Sequence, residues 1–478
     1  MTLDPKACYA AHLGRDARFD GVFFTAVKTT GIYCRPVCPA RTPAASSCQF
    51  FPTASAAEAA GFRPCLRCRP ELAPGRTSSS FAEALMDRIQ QRATEGIRLG
   101  DLEADLGVSS RQLRRILWAE YGVTPLQVIQ TRRLLLAKQW LHDTAMPVNR
   151  IALASGFRSL RAFNTAFVRH YRIAPHACRK QNSAEVSSGS VTLHLSYREP
   201  FAWHALLAYF RGRLIPGVEE IMGNEYRRTL AIGHSSGWLR INPSTRPSSL
   251  AVEISAELVP VLGRVQSLVR QVFDLDARPD VIAAHLGRDP LLAPILAAHP
   301  GLRIAGAWDP FELAIRAVLG QQITVKAATT LSARLANKIG QPMVTPFPNL
   351  NRLAITASSL NSLAIEPLQA LGITRTRGET LRHLAELALR GGFRFSVGET
   401  HDQVTSKLIA IPGIGPWTAN YIALRALRFP DSFPAADLGL RKAVGRETIA
   451  TTRDTLARAE AWRPWRSYAA IALWQSLT

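Results

Sequence analysis

The chain has 478 residues, 58 Lys and Arg against 36 Asp and Glu, a net charge of +22, and a hydrophobic fraction of 47%. That length predicts roughly three or four domains, and the ordinary apolar and charged fractions exclude wholesale disorder. No run approaches the ~18 apolar residues of a membrane span, and the opening MTLDPKACYAAH lacks the basic-then-apolar pattern of a secretory leader, so a cytoplasmic chain with no membrane partner is expected.

The basic excess is uneven. Residues 1–182 carry 26 basic and 13 acidic groups, whereas 183–478 carry 32 and 23. Basic side chains gain counterion-release entropy on nucleic acid, which makes a polyanionic partner the favoured one. Because 50 of the 58 basic residues are Arg, a compositional bias of the source proteome is the alternative.

Seven cysteines stand at positions 8, 34, 38, 48, 65, 68 and 178, an odd count that argues against a disulfide framework. Four form two close pairs: Cys34-x3-Cys38, then 26 residues, then Cys65-x2-Cys68. Two close pairs of thiolates separated by a loop can close a tetrahedral zinc site; scattered core cysteines are the alternative. Cys8, Cys48 and Cys178 have no nearby partner in sequence and read as buried or incidental.

The residues around these pairs, GVFFTAVKTTGIYCRPVCPAR and AAGFRPCLRC, resemble the methyl-accepting zinc domain of the Ada family of alkylation-response proteins over about residues 4–74. The resemblance implies that Cys34 accepts a methyl group from a DNA phosphotriester. It further implies that Cys38, Cys65 and Cys68 complete the ligands of one Zn2+ per chain, and that Thr30, Arg41 and Arg63 contact the phosphate. The chemistry suits this role, because zinc-bound thiols are thiolates and a neutral triester does not repel them. Nothing in the sequence provides for demethylation, so a stoichiometric transfer is expected.

PGRTSS (74–79) reads as a joint. Beyond it, LGDLEADLGVSSRQLRRILWAEYG (99–122) breaks at Gly107-Val108-Ser109, and PVNRIALASGFRSLRAFNTAFVRHY (147–171) breaks at Ser155-Gly156-Phe157. Each pattern fits a helix-turn-helix, and LQVIQTRRLLLAKQWL (126–141) joins them as one long helix. Together with ASGFRS, AFNTAF and APHACRK, this arrangement resembles the AraC-family DNA-binding domain over about 81–181. The second helix of such a unit enters the major groove, which nominates Ser109, Ser110, Arg111, Arg114 and Arg115 in the first unit. In the second it nominates Arg158, Ser159, Arg161, Asn164 and Thr165. For each, a solvated face or a phosphate contact is the alternative. QNSAEVSSGS (181–190) reads as a flexible linker.

Alternation in VTLHLSY (191–197) and at RRTLAIGH, GWLRIN and LAVEIS (227–255) predicts strands, and FAWHALLAYFRGR predicts a helix. From DPFELAIRAVLGQQIT onward the pattern is helical. Within it, LIAIPGIGPWTANYIALRAL (408–427) allows a tight hairpin at Gly413 and Gly415 whose backbone N–H groups face a phosphate. FPAADLGLRKA then places Asp437 22 residues after Gly415.

Hairpin and distal aspartate, with WTANYIALR and RPWRSYAAIALW, resemble the helix-hairpin-helix DNA glycosylases, and AlkA-type 3-methyladenine glycosylases in particular, over roughly 190–478. The resemblance implies that Asp437 is catalytic and that Trp417, Tyr421 and Trp474 line the base pocket. It places Gln321, Gln322 and Ile323 where a side chain fills the gap left by a flipped base, with Gln322 the favoured plug. Superfamily members that also cut the backbone carry a lysine where this chain has Trp417, so no Schiff base forms there and a monofunctional hydrolase is expected. Electron-rich rings suit cationic N-alkylpurines, although hydrophobic core is the alternative for each ring. Asp437 could equally be a helix N-cap.

The expected architecture is therefore multidomain. A small four-cysteine zinc α+β domain (1–75) precedes an all-α double helix-turn-helix domain (81–181). An AlkA N-terminal-like α+β domain (190–305) and an all-α helix-hairpin-helix glycosylase domain (306–478) follow. The expected protein is a monomer that repairs alkylated double-stranded DNA, binds promoter DNA beside RNA polymerase, and associates with a bacterial nucleoid. The end at Thr478, without a P-C-H-R-type sequence, implies that the O6-methylguanine transferase domain of other Ada proteins is absent. The competing reading is a transcription factor whose rear half binds DNA without catalysis.

Overall fold

The computed structural model describes residues 3–74, 81–96, 99–179, 189–393, 395, 399–445 and 447–477. The joint at 74–79 and the linker at 181–190 lie outside the described residues, apart from positions 74, 189 and 190.

The front unit opens with α1 (Pro5–Leu13), capped by the Asp4 carboxylate. It then builds a four-stranded sheet from β1 (Phe24–Val27), β2 (Ile32–Cys34), β3 (Cys48–Phe51) and β4 (Arg63–Pro64), with α2 (Ala54–Ala59) between the last two. The sheet order is β3-β1-β2-β4. β2 runs parallel to β4 with Tyr33 opposite Pro64. The next residues along the two strands, Cys34 and Cys65, therefore emerge at the same end of the sheet, so the topology brings together residues distant in sequence.

Among the described residues, seven helices follow: α3 (Phe81–Arg92), α4 (Leu99–Leu106), α5 (Ser110–Tyr121), α6 (Pro125–Asp143), α7 (Val148–Ala154), α8 (Leu160–Tyr171) and α9 (Pro175–Cys178). α5 and α6 each start in a capping box, Ser109 with Gln112 and Thr124 with Gln127. The pairs α4–α5 and α7–α8 are the two helix-turn-helix units. α6 is buried on nearly every side. Its Val128 and Ile129 pack with α3, α4 and α5, and its Leu134, Trp140 and Leu141 pack with the second unit and with the sheet beyond.

That sheet comprises β5 (Ser190–Ser196), β6 (Glu219–Met222), β7 (Glu225–Ile232), β8 (Ser235–Pro243) and β9 (Ser249–Ser255), with α10 (Trp203–Arg211) after β5. It is antiparallel in the order β5-β9-β8-β7-β6. Alternate residues such as Leu239, Ile241, Val252 and Ile254 fill the core, as the period of two requires.

One apolar cluster contains both this sheet and helices α6 to α9. The indole of Trp140 donates to Gln266 at 3.3 Å, Gln266 donates to Gln139 at 3.1 Å, and Gln139 donates to the His194 carbonyl at 3.3 Å. A flexible linker implies two separately packed halves; the described residues instead share one core across them. The physical reason lies in LLLAKQWL, whose apolar residues fall on opposite sides of α6 and need partners on both.

The remaining helices are α11 (Leu262–Val272), α12 (Pro279–Leu286), α13 (Ala293–Ala298), α14 (Pro310–Leu319), α15 (Val325–Ile339), α16 (Ala357–Asn361), α17 (Ile365–Ala370), α18 (Arg375–Leu389), α19 (His401–Ile409), α20 (Pro416–Arg425), α21 (Leu438–Gly445), α22 (Thr452–Ala459) and α23 (Arg466–Gln475). From α14 on they form two clusters. One gathers α14 to α20 and the other gathers α21 to α23 with α12. α20 contributes to both, with Ala419 and Ile422 in the first and Leu424 in the second. The seam between the clusters is where the rear site sits.

Candidate functional sites

The sulfurs of Cys34, Cys38, Cys65 and Cys68 all lie within 4.8 Å of one another, and all four residues are buried. A tetrahedral zinc with zinc–sulfur distances of ~2.3 Å spaces its sulfurs about 3.8 Å apart, so this donor set fits one zinc ion. The cluster is braced from outside. The Arg35 backbone N–H donates to Cys68 Sγ at 3.3 Å, and its guanidinium bonds Asp20 and, at 3.1 Å, the Cys68 carbonyl. Hydrogen bonding to the other three thiols, and then burial, push the Cys34 thiol up, whereas the bond to Cys34 draws Cys38 down to about 7. A Cys34 thiolate at neutral pH therefore calls for a cation among the four sulfurs.

Two buried carboxylates tie this unit to the helix-turn-helix region. Lys138 of α6, fully buried, donates to Glu71 at 2.8 Å and to the Cys65 carbonyl at 3.3 Å. Glu58 accepts from the hydroxyl of Tyr33, the residue before Cys34, at 2.8 Å, and from Thr131 of α6. Its carboxylate also lies 3.1 Å from His170 Nε2 at the end of α8. Lys138, Glu58 and Glu71 are absent from the sequence reading, because nothing local marks them as partners.

Thr30, Arg41 and Arg63 are exposed. Arg67, inside the C-L-R-C ligand loop, is exposed as well and was missed; a cation between two metal ligands was the available signal. On α5, Arg111, Arg114 and Arg115 are exposed on the face opposite buried Leu113 and Leu117. Arg158 and, on α8, Arg161, Asn164 and Thr165 are exposed opposite buried Phe163 and Phe167. Ser109 and Ser159 are exposed and cap α5 and α8, accepting from Gln112 N–H at 3.3 Å and Ala162 N–H at 3.2 Å. The Ser110 N–H donates to Glu103 at 2.7 Å.

In the rear site, the Asp437 carboxylate caps a helix and also meets two indoles. Its Oδ1 accepts the Leu440 N–H at 3.0 Å, capping α21. The same carboxylate accepts the Trp417 indole N–H on Oδ2 and the Trp474 indole N–H on Oδ1, both at 2.9 Å. Trp417 and Tyr421, one turn apart on α20, stack with centroids 5.2 Å apart and planes 10° apart, and Trp474 meets Tyr421 edge-on at 6.3 Å. Tyr421 packs against one helical cluster and Trp474 against the other, so the three rings and the carboxylate line the seam, and all four are half-buried.

Beside it, the hairpin requires glycine at one position. Gly413 has φ +87, and a Cβ there would lie 1.9 Å from Thr380 Oγ1. Gly415 has φ −91 and open space around it, so its place as the N-cap of α20 does not demand glycine. Gln321 holds the hairpin by donating to the Gly413 carbonyl at 2.9 Å and to Thr418 at 3.1 Å. Its neighbour Gln322 is exposed in the left-handed region, φ 55. Sequence reasoning missed Tyr209 of α10 and Arg425 of α20, which pack behind the rings. The two tyrosine hydroxyls of Tyr209 and Tyr421 are 3.1 Å apart.

Four stretches of the chain match known protein families. Residues 7–71 match the metal binding domain of Ada, 102–181 a helix-turn-helix domain, 192–309 the AlkA N-terminal domain, and 315–467 the HhH-GPD superfamily of base excision DNA repair proteins. A Mycobacterium tuberculosis protein described as a probable bifunctional transcriptional activator/DNA repair enzyme AlkA is 36% identical over 484 residues, covering 99% of this chain and 97% of that protein. DNA-3-methyladenine glycosylase 2 of Escherichia coli is 35% identical over 287 residues, covering 59% of this chain and 95% of its own. The solved 3-methyladenine DNA-glycosylase from Archaeoglobus fulgidus superposes with a TM-score of 0.52 at 18% identity, over 59% of this chain and 97% of that one, a likeness of fold.

Proposed function

Because this chain belongs to the family of bifunctional transcriptional activator/DNA repair enzymes of the AlkA type, we propose that it excises alkylated bases of the 3-methyladenine class, accepts methyl groups from DNA phosphotriesters at Cys34, and binds promoter DNA. The observation that carries the reading is Asp437, gripped by Trp417 and Trp474 beside the hairpin.

Cleavage of the N-glycosidic bond sends its electron pair to the purine and leaves positive charge at C1′. Asp437 stabilises that charge and orients the attacking water, whose hydroxyl oxygen bonds C1′. Trp417 and Trp474 hold the carboxylate, and with Tyr421 they offer π faces to a cationic base. Gly413 and Gly415 direct hairpin N–H groups to a backbone phosphate, and Gln322 fills the vacated stack. The position of a lyase lysine is occupied by an indole bonded to Asp437, in keeping with water as the nucleophile.

At the front, Cys34 Sγ attacks the methyl carbon of a phosphotriester. The methyl–oxygen bond breaks, and its electrons remain on the phosphodiester. Zinc, when bound, keeps the four sulfurs deprotonated at neutral pH. Thr30, Arg41, Arg63 and Arg67 orient the phosphate, and Arg111, Arg114, Arg115, Arg158, Arg161 and Asn164 bind the promoter, one chain acting beside RNA polymerase. Methylation removes one negative charge from this surface, so promoter affinity rises and the gain shrinks with salt.

The experiment is release of free base from a duplex carrying a single 3-methyladenine. Turnover by wild type and loss of release in Asp437→Asn support the reading. A wild-type chain that binds this duplex and releases nothing leaves a DNA-binding rear half without catalysis.

A further inference from the structure

On α20, Trp417, Tyr421 and Arg425 are spaced four residues apart and share one face. Trp417 stacks on Tyr421, and one turn further on the Arg425 guanidinium lies 5.3 Å from the Tyr421 centroid, 5.4 Å from that of Trp474 and 4.1 Å from that of Tyr209. Arg425 is 3% exposed, and among the described residues no carboxylate pairs with it. It donates to the Ala305 carbonyl at 2.9 Å, while its Nε is buried without a partner there. A buried cation held by ring faces and one carbonyl is a costly arrangement, and hydrophobic packing would not call for it. At the other end of the same ladder sits the Asp437 carboxylate. The aromatic wall thus runs from a fixed negative charge to a fixed positive one.

We propose that Arg425 is a positioning and specificity-determining residue of the base pocket, placing a fixed cation behind the aromatic wall so that the departing base, cationic or neutral, gains electron density against a positive field. The proposal rests on the base-pocket reading above. When the C1′–N9 bond breaks, its electron pair moves onto the purine. A cationic N-alkylpurine becomes neutral, and the proton of the attacking water passes to Asp437 or solvent. A neutral purine becomes an anion and takes up that proton. In both cases the base end becomes more negative by about one charge, which the guanidinium favours. The ground states differ, because Arg425 repels a base that is already cationic and leaves a neutral one unaffected. Arg425 therefore speeds departure of both classes while weakening the binding of cationic lesions. Tyr421 reports the field: burial alone would raise its phenol, yet Arg425, Arg213 and the hydrogen bond with Tyr209 bring it down to about 8.

The test compares wild type, Arg425→Gln, which keeps a donor for the Ala305 carbonyl, and Arg425→Lys, which keeps the charge. Two duplexes are used, one with a single 7-methylguanine, which is cationic, and one with hypoxanthine, which is neutral. In R425Q, single-turnover release is expected to slow about tenfold on both. Affinity for the 7-methylguanine duplex should rise several-fold, and affinity for the hypoxanthine duplex should stay put. A folded R425Q whose affinities for the two duplexes change alike, or whose release is unchanged, overturns the proposal. R425K is expected to keep the wild-type affinity ratio within about twofold, and its collapse in the folded variant also overturns the proposal, so the test survives if R425Q fails to fold. Asp437→Asn run alongside separates the two levels. Release that persists in D437N sinks the pocket reading itself, whereas release lost in D437N without a lesion-dependent split in R425Q sinks only the role of Arg425.

Discussion

Asp437→Asn is a sharper test than a neutral, isosteric exchange, because both carboxylate oxygens already accept hydrogen bonds. Oδ1 accepts from Leu440 and Trp474, and Oδ2 accepts from Trp417. Asparagine has one acceptor oxygen. If it keeps the cap and the Trp474 bond, its amide nitrogen faces the Trp417 indole N–H, donor against donor, across a contact of 2.9 Å. Loss of that bond and the stranded, half-buried indole cost about 1–2 kcal/mol.

The catalytic loss should be larger. A carboxylate about 4 Å from a developing unit charge, at an effective dielectric of ~20, interacts by about 4 kcal/mol. Partial charge development reduces this to roughly a 100- to 1000-fold fall in rate, in line with loss of a single electrostatic stabiliser. The double variant D437N/W417F separates the two effects, because phenylalanine removes the stranded donor. Urea melts should show about 1 kcal/mol recovered relative to D437N, while single-turnover release of 3-methyladenine stays at the D437N level. Release restored in the double variant would mean that D437N acts by distorting the pocket. Release by D437N within about threefold of wild type would assign Asp437 to capping alone.

Chelation of the metal, or Cys65→Ser, should unfold the front sheet, seen as loss of one zinc per chain by metal analysis together with loss of Tyr33 and Phe24 packing by near-ultraviolet dichroism; a folded, metal-free wild type contradicts the assignment. Lys138→Met leaves Glu71 with Arg69 alone and should cost about 3 kcal/mol in urea melts, partly recovered in K138M/E71Q; no change would show that the buried pair carries no stability. Burial, reinforced by Arg69, lowers His142 from 6.5 to about 4. The neutral ring therefore contributes stability that is complete above pH 6.5 and lost as pH falls toward 4, so His142→Gln should flatten that part of the stability–pH curve, and an unchanged curve contradicts the shift.

The parts legible in the sequence are those carried by short spacings. Two cysteine pairs, a Pro-Gly-Ile-Gly hairpin and the Gly107-Val108-Ser109 and Ser155-Gly156-Phe157 breaks each compress a local geometry into a few residues. What the sequence hid was tertiary pairing. Lys138 meets Glu71 across 67 positions, and Tyr209 meets Tyr421 across 212. Nothing in LAKQW or AYFRG announces such partners. The shared core has a trace, the apolar residues on opposite sides of α6, but the Ser-rich stretch beyond α9 points the other way. The sequence leaves Asp437 as catalytic group or N-cap, because a one-dimensional pattern cannot show three donors converging on one side chain.

The chain is held to carry two chemically distinct repair activities, one consumed by a single event and one that turns over. The direct test is to incubate substoichiometric protein with duplex DNA bearing radiolabelled methyl groups on both bases and phosphates, and to count label on protein and in free bases over time. Label on the protein should plateau at one methyl per chain, on Cys34, while free methylated base continues to accumulate well beyond the amount of protein. Protein-bound label located elsewhere, or free base that stops at or below one per chain, would contradict it.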